Sequence, residues 1–121
     1  MATNFVSDGD VIPYTNGTGA PIASGKVVAL GHCLGVALGS IANGATGSVA
    51  LAGVFTVPKV SGAVFVQGEK LIWDVSADAF DDSAATPAAG DITGGAIAWA
   101  AGSDGQTTCQ VKLTPGNAAK A

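Results

Sequence analysis

From residue 108 to residue 113 the side chains alternate without a break. Cys109, Val111 and Leu113 are apolar, while Thr108, Gln110 and Lys112 are polar. Alternation of this kind puts the two sets on opposite faces of an extended strand, one face buried and the other wet. Val49, Leu51, Phe55 and Val57 share one parity, with Ser48, Ala50, Ala52 and Thr56 on the other. Across residues 28–38 the even positions are Val28, Leu30, His32, Leu34, Val36 and Leu38, and the odd ones are mostly Ala or Gly. Gly31 and Gly35 are expected to bend or break that stretch into two strands. Residues 71–75 and 96–100 complete the predicted set of strands.

Gly and Pro punctuate the chain so often that only residues 69–86 run longer than nine positions without either. Nine residues fall short of the three turns of an average helix, and an interior Gly costs a helix about 1 kcal/mol relative to Ala. The pattern therefore predicts an all-β fold: a small single-domain β-sandwich or barrel with Gly-rich turns, a flexible N-terminal arm and little helix. Residues 1–10 read as a polar arm with two apolar anchors, Phe5 and Val6, residues 11–114 as the β-rich domain, and residues 115–121 as a frayed tail. Residues 76–91, with Asp78, Asp81 and Asp82 among many Ala, read as a surface loop or a single helical turn.

Composition narrows the function. The 121 residues include 23 Ala and 18 Gly, and the bulky Val, Leu, Ile and Phe set numbers 29, so an isolated domain would bury little area per residue. Oligomerisation is one way to make up that deficit. There is no Arg, and five Lys stand against nine acids for a net charge of −4, which argues against a nucleic-acid partner. No run of about 20 apolar residues predicts a membrane span, and the first eight residues lack the basic and apolar segments of a signal peptide.

The motifs that could carry chemistry are incomplete. Ser24-Gly25-Lys26 resembles the end of a phosphate-binding loop, but Ala20 stands where that motif needs Gly and Val27 where it needs a hydroxyl. A type II turn entering a strand is the expected reading. Asn16-Gly17-Thr18 matches a glycosylation sequon and is expected to be turn chemistry, and residues 17–22 lack the third Gly of a dinucleotide fingerprint. His32 and Cys33 are neighbours, and on a strand would point to opposite faces, so no thiol dyad is expected. Cys109 reads as a buried thiol, and both thiols are expected reduced. The acids lie mainly in loops, as turn-forming Asp, and the 78–82 group lacks the spacing of a calcium loop. Trp73 and Trp99 are expected to be core anchors, with a sugar-stacking platform as the alternative. No catalytic, cofactor or metal site is expected.

Several short pieces, taken in order, resemble one family. They are Asn4-Phe5-Val6 before Gly9-Asp10, Ser24-Gly25-Lys26-Val27-Val28, Gly35-Val36-Ala37, Gly53-Val54-Phe55 ahead of Pro58-Lys59, Gly68-Glu69-Lys70-Leu71-Ile72-Trp73-Asp74, Gly95-Ala96-Ile97-Ala98 and Val111-Lys112-Leu113. Together they resemble the capsid cement, or decoration, proteins of tailed bacteriophages. The chain departs from that pattern in the acidic 78–82 segment, in Trp99, and in Lys112 where Arg would be expected. The resemblance implies a β-rich domain on the outer surface of an expanded phage head, made in the host cytoplasm. It also implies a homotrimer that binds the major capsid protein, with no enzyme activity and no cofactor. Within the arm, Ala2, Thr3, Asn4, Phe5 and Val6 are the expected capsid contacts, ordering on the shell by strand addition. A tail, fibre or baseplate component and a carbohydrate-binding module are the alternatives.

Overall fold

The structure is a computed structural model and describes residues 3–121. Ten strands form two antiparallel sheets. The smaller sheet holds β1 (Val11–Thr15), β4 (Thr46–Ala50), β3 (Cys33–Ala37) and β2 (Val27–Leu30), in that spatial order. The larger holds β5 (Val54–Pro58), β9 (Thr108–Leu113), β8 (Ile92–Ala98), β6 (Lys70–Asp74) and β7 (Ala79–Asp81), with β10 (Ala119–Lys120) paired to the start of β8. The all-β reading holds, and one short 3-10 turn at Pro115–Asn117 is the only helical piece among the described residues.

Local chemistry explains the turns. Leu30 pairs with Cys33, leaving Gly31 and His32 as a two-residue hairpin loop, and Gly31 supplies the positive φ of 59° that such a loop requires at its first position. The break expected at Gly31 is therefore present. The one expected at Gly35 is not: Gly35 lies inside β3, where a Cβ would meet Val49 and come within 2.8 Å of the Ala50 carbonyl oxygen. Its lack of a side chain serves close packing, not a turn. The Ser24-Gly25 turn is as expected, with Gly25 at φ 84° and the Lys26 N–H donating to the Ala23 carbonyl at 3.2 Å.

The larger sheet curls into a half-barrel. β8 pairs with β9 through residues 96–98 and with β10 through residues 92 and 93, and the register against β6 shifts between Leu71 and Ile72. Gly94, at φ 72°, sits at this irregularity, and a Cβ there would stand 2.5 Å from the Asn117 carbonyl oxygen. The end of the chain, expected to fray, thus occupies the place along β8 that β9 vacates. At the far side, Lys59 bridges Phe80 and the Val60 N–H donates to the Phe80 carbonyl at 2.9 Å, so the last strands, β5 and β7, almost meet.

Inside the curl lies the main core. Val57, Phe65, Leu71, Trp73, Phe80, Ile92, Val111 and Leu113 pack there against Val27, Leu34 and Val36 from the smaller sheet. A second cluster covers that sheet's other face, where Ile22 and Ile41, joined by an isolated bridge, pack on Val28, Ala37 and Val49. Both faces of β3 are buried, and its even-position pattern reports only one of them. Asn16 locks the covering loops. Its side-chain oxygen accepts from the Thr18 N–H and hydroxyl, and its amide donates to the Ala20 and Ile41 carbonyls. The turn chemistry read from the Asn-Gly-Thr spelling is there, in a fully buried residue.

Residues 76–91 depart from the loop reading. They contain β7, whose Phe80 is fully buried and meets the Trp73 ring edge-on at 4.9 Å between centroids. The Asp74 carboxylate nucleates the hairpin by accepting from the Ser76 N–H and hydroxyl and the Ala77 N–H. Asp91, almost wholly buried, closes the segment by accepting from the N–H groups of Val75 and Ala88.

Candidate functional site

Residues 3–10 are exposed throughout, with Phe5 at 66% and Val6 at 93% of full accessibility. Large apolar side chains this open offer free energy to whatever covers them, about 25 cal/mol per Å². Thr3, Asn4, Phe5 and Val6 therefore stand together in the arm, whereas Ala2 lies outside the described residues. The arm joins the body where the Leu51 N–H donates to the Asp10 carbonyl at 2.8 Å, at the turn between β4 and β5.

The strand it feeds is built to resist pairing. Asp10 bonds to Leu51 and Asn16 to Ala45, so by alternation the backbone groups of Ile12 and Tyr14 face β4 and those of Val11, Pro13 and Thr15 face outward. Pro13 removes a donor from the middle of that free edge.

A second surface is the outer face of the half-barrel. Lys70, Ile97, Lys112 and Val54 stand in one row across four strands, and Trp99 lies beside Gln110 through an N–H to carbonyl bond of 2.9 Å. Val54 and Trp99 are 42% and 48% exposed. The tryptophan pair is split: Trp73 is the core anchor expected, while Trp99 is not in the core. With Trp73 buried, the two cannot form one stacking platform.

A shallow apolar groove runs between the sheets. It is lined by Tyr14, Pro21, Ile22, Val28 and Val75, and encloses about 300 Å³, with the Lys26–Asp78 ion pair at its rim. Both partners of that pair are well exposed, so it contributes little, about 0–1 kcal/mol.

The reactive residue types are scattered and engaged elsewhere. His32 is exposed in the hairpin loop, and the Cys33 thiol donates to the Leu30 carbonyl at 3.4 Å. Cys109 faces the main core, and burial pushes its thiol pKa up to about 11, with nearby Lys59 pulling weakly the other way. Lys59 is itself buried, its ammonium donating to the carbonyls of Val60, Ser61 and Gln106 and so tying two loops at one end of the barrel. Asp81 and Asp82 accept backbone N–H groups of their own turn. Among the described residues no three His, Cys, Asp or Glu side chains stand close enough to hold a metal ion.

These features define a small all-β contact protein, with uncovered apolar side chains on an arm and on a barrel face and, among the described residues, no grouped reactive side chains. The chain belongs to the phage cement protein family, whose model matches residues 6–113. No curated protein matches the chain significantly. The family is structural, not enzymatic; its role is capsid decoration, which places the protein on the virion capsid and makes the capsid its binding partner. The match begins at Val6, so Thr3, Asn4 and Phe5 lie before it. Sequence reasoning singled out the arm but not the barrel face. The outward parity of Gln110 and Lys112 was the available signal for it.

Proposed function

We propose that this protein decorates the outer surface of the expanded phage head, as a trimer, and stabilises it by clamping neighbouring capsomers of the major capsid protein. The observation that supports this most directly is the arm: a family whose role is capsid binding, and two bare apolar side chains, Phe5 and Val6, on an exposed segment leading into the folded body. In this reading residues 1–10 are the capsid-binding arm and residues 11–114 the decoration domain. Ala2, Thr3, Asn4, Phe5 and Val6 make the contact, adding a strand to an exposed edge of the shell protein while Phe5 and Val6 fill pockets.

Ordering each arm residue costs about 1–2 kcal/mol, so a single arm binds weakly. Three arms on one trimer make the later contacts intramolecular, which raises avidity by about 10²–10⁴. Weak contacts joined in this way hold adjacent capsomers against the outward pressure of packaged DNA.

Deleting residues 2–10 tests this. The deletion removes no residue of a strand and one hydrogen bond to Leu51, about 1 kcal/mol, so the body still folds by thermal unfolding. The truncated protein then sediments with purified expanded heads far more weakly than the full chain, and heads carrying it lose DNA at a temperature between those of bare and fully decorated heads. A truncated protein that folds and saturates heads with unchanged affinity refutes the arm's role. Full-length protein that fails to bind heads of its own phage refutes the decoration reading and moves the tail-component alternative to first place.

A further inference from the structure

Among the described residues, the outer face of the larger sheet is left open over three strands. The outer face of the smaller sheet lies under Ile22 and Ile41, and residues 83–87 fold over Ile72 on the outside of β6. The outer face of β5, β9 and β8 has no such cover. Its composition is unlike the rest of this acidic chain: the row Lys70, Ile97, Lys112, Val54 sets two ammonium groups around aliphatic side chains, with Trp99 one row along. The only ion pair among the described residues is Lys26–Asp78, so Lys70 and Lys112 have no carboxylate partner in the fold. An exposed Trp is a residue type enriched at interface hot spots, and exposed cations beside it steer a partner of opposite charge.

The arm's point of departure selects the same side of the molecule. Asp10 is bonded to Leu51, three residues before Val54, so the arm leaves the body within about 11 Å of the Val54 end of this row. Strands stand about 4.8 Å apart, so the row from Val54 to Lys70 is about 14 Å long. Seven extended residues reach about 25 Å. A surface gripped by the arm therefore comes within reach of the whole face, without the body having to turn over.

Resting on the capsid-decoration reading above, we propose that this barrel face is the second docking surface for the shell. Lys70 and Lys112 meet an acidic patch of the shell protein there, while Val54, Ile97 and Trp99 cover apolar side chains beside it.

The test uses the full chain with its arm intact, labelled and sedimented with purified expanded heads over a range of salt concentrations. The double variant Lys70→Glu/Lys112→Glu is expected to bind about tenfold or more weaker at low salt and to lose most of the salt dependence. Trp99→Ala is expected to weaken binding about tenfold with the salt dependence kept. Lys120→Glu, a charge reversal outside the row, stays within about twofold of the parent. All are exposed positions, and unchanged thermal unfolding verifies that they fold. If the parent binds heads and both face variants bind as it does, this face is not a docking surface, and the arm reading stands. If the face variants instead change the protein's own sedimentation without heads, the face joins copies of this chain and the proposal is overturned. A parent that does not bind at all defeats the decoration reading itself.

Discussion

Phe80→Ala separates the structure from the surface-loop reading of residues 76–91. The Phe80 side chain is fully buried and its ring meets Trp73 edge-on. Truncating a buried Phe costs about 3–5 kcal/mol in lost transfer energy and cavity formation, and the aromatic pair adds about 0.5–1.5 kcal/mol to the upper part of that range. Taking about 4 kcal/mol, an unfolding entropy of about 2.1 cal/mol/K per residue over 121 residues comes to roughly 0.25 kcal/mol/K. The expected fall in Tm is therefore about 16 °C, large enough to read by calorimetry or circular dichroism. Val111→Ala calibrates the scale from an undisputed core position, at about 2–3 kcal/mol. Gln110→Ala, one residue away on the outer face, stays within about 0.5 kcal/mol. If Phe80→Ala melts within about 3 °C of the parent while Val111→Ala falls as expected, β7 does not hold the core. The barrel closure at Lys59 and Phe80 would fall with it.

Two further outcomes concern titratable groups. With a thiol reagent and no reductant, the native protein at neutral pH takes one label, at half-buried Cys33, and the unfolded protein takes two, because Cys109 is buried and its pKa is raised to about 11; two labels on the native protein would refute the burial of Cys109, and none on the unfolded protein would reveal a disulfide. Asp74 is held below its ordinary pKa, chiefly by the Ser76 hydroxyl and then by the Ala77 N–H, and Glu69 chiefly by the Ser83 N–H. Both pKa values are depressed on folding, so these carboxylates contribute stability that is present above about pH 4 and is lost as pH falls through their folded values. The Tm gap between the parent and Asp74→Asn should narrow between pH 7 and pH 3, and a gap that stays constant would show that the Asp74 charge is not what holds the turn.

The strand clearest in the sequence is the one with a single wet face. β9 alternates because Cys109, Val111 and Leu113 enter the barrel while Thr108, Gln110 and Lys112 face water. β3 is covered on both sides, so its Ala and Gly positions, which looked like a filler face, are a second packed surface under Ile22 and Ile41. β7 escaped because three residues are too few to show a period, and its one large side chain sits among Ala and Asp. Gly31 and Gly35 carry the same spelling and opposite roles, one for φ and one for close approach, and only the pairing partners distinguish them. Trp73 and Trp99 diverge for a similar reason: the sheet's curl buries one, while the other stands one residue past the end of β8. The arm was legible as a polar segment with two apolar residues. The row formed by Lys70, Ile97, Lys112 and Val54 was not, because its members come from four strands whose order along the sheet no local pattern records.

How the fold treats its strand edges bears on how it can hold another protein. An open edge is a template for pairing, and sheets that survive at high local concentration close or blunt it. The larger sheet nearly closes, since Lys59 pairs with Phe80 and the Lys59 ammonium ties down three carbonyls of the loops beside that seam. The smaller sheet has two edges. β2 is four residues long, and β1 carries Pro13 at an outward-facing position, which deletes the donor from the middle of the run. A partner strand laid along β1 would find donors only at Val11 and Thr15, too far apart to hold a register. Strand addition to the body is thus disfavoured from both sheets, and with it the chain-to-chain pairing that would aggregate free protein. The segment before Asp10 is under no such constraint: it contains no Pro, its backbone is exposed, and it carries Phe5 and Val6 uncovered. The body is made poor at pairing, and in the arm-binding mechanism proposed above the pairing falls to the exposed segment before Asp10.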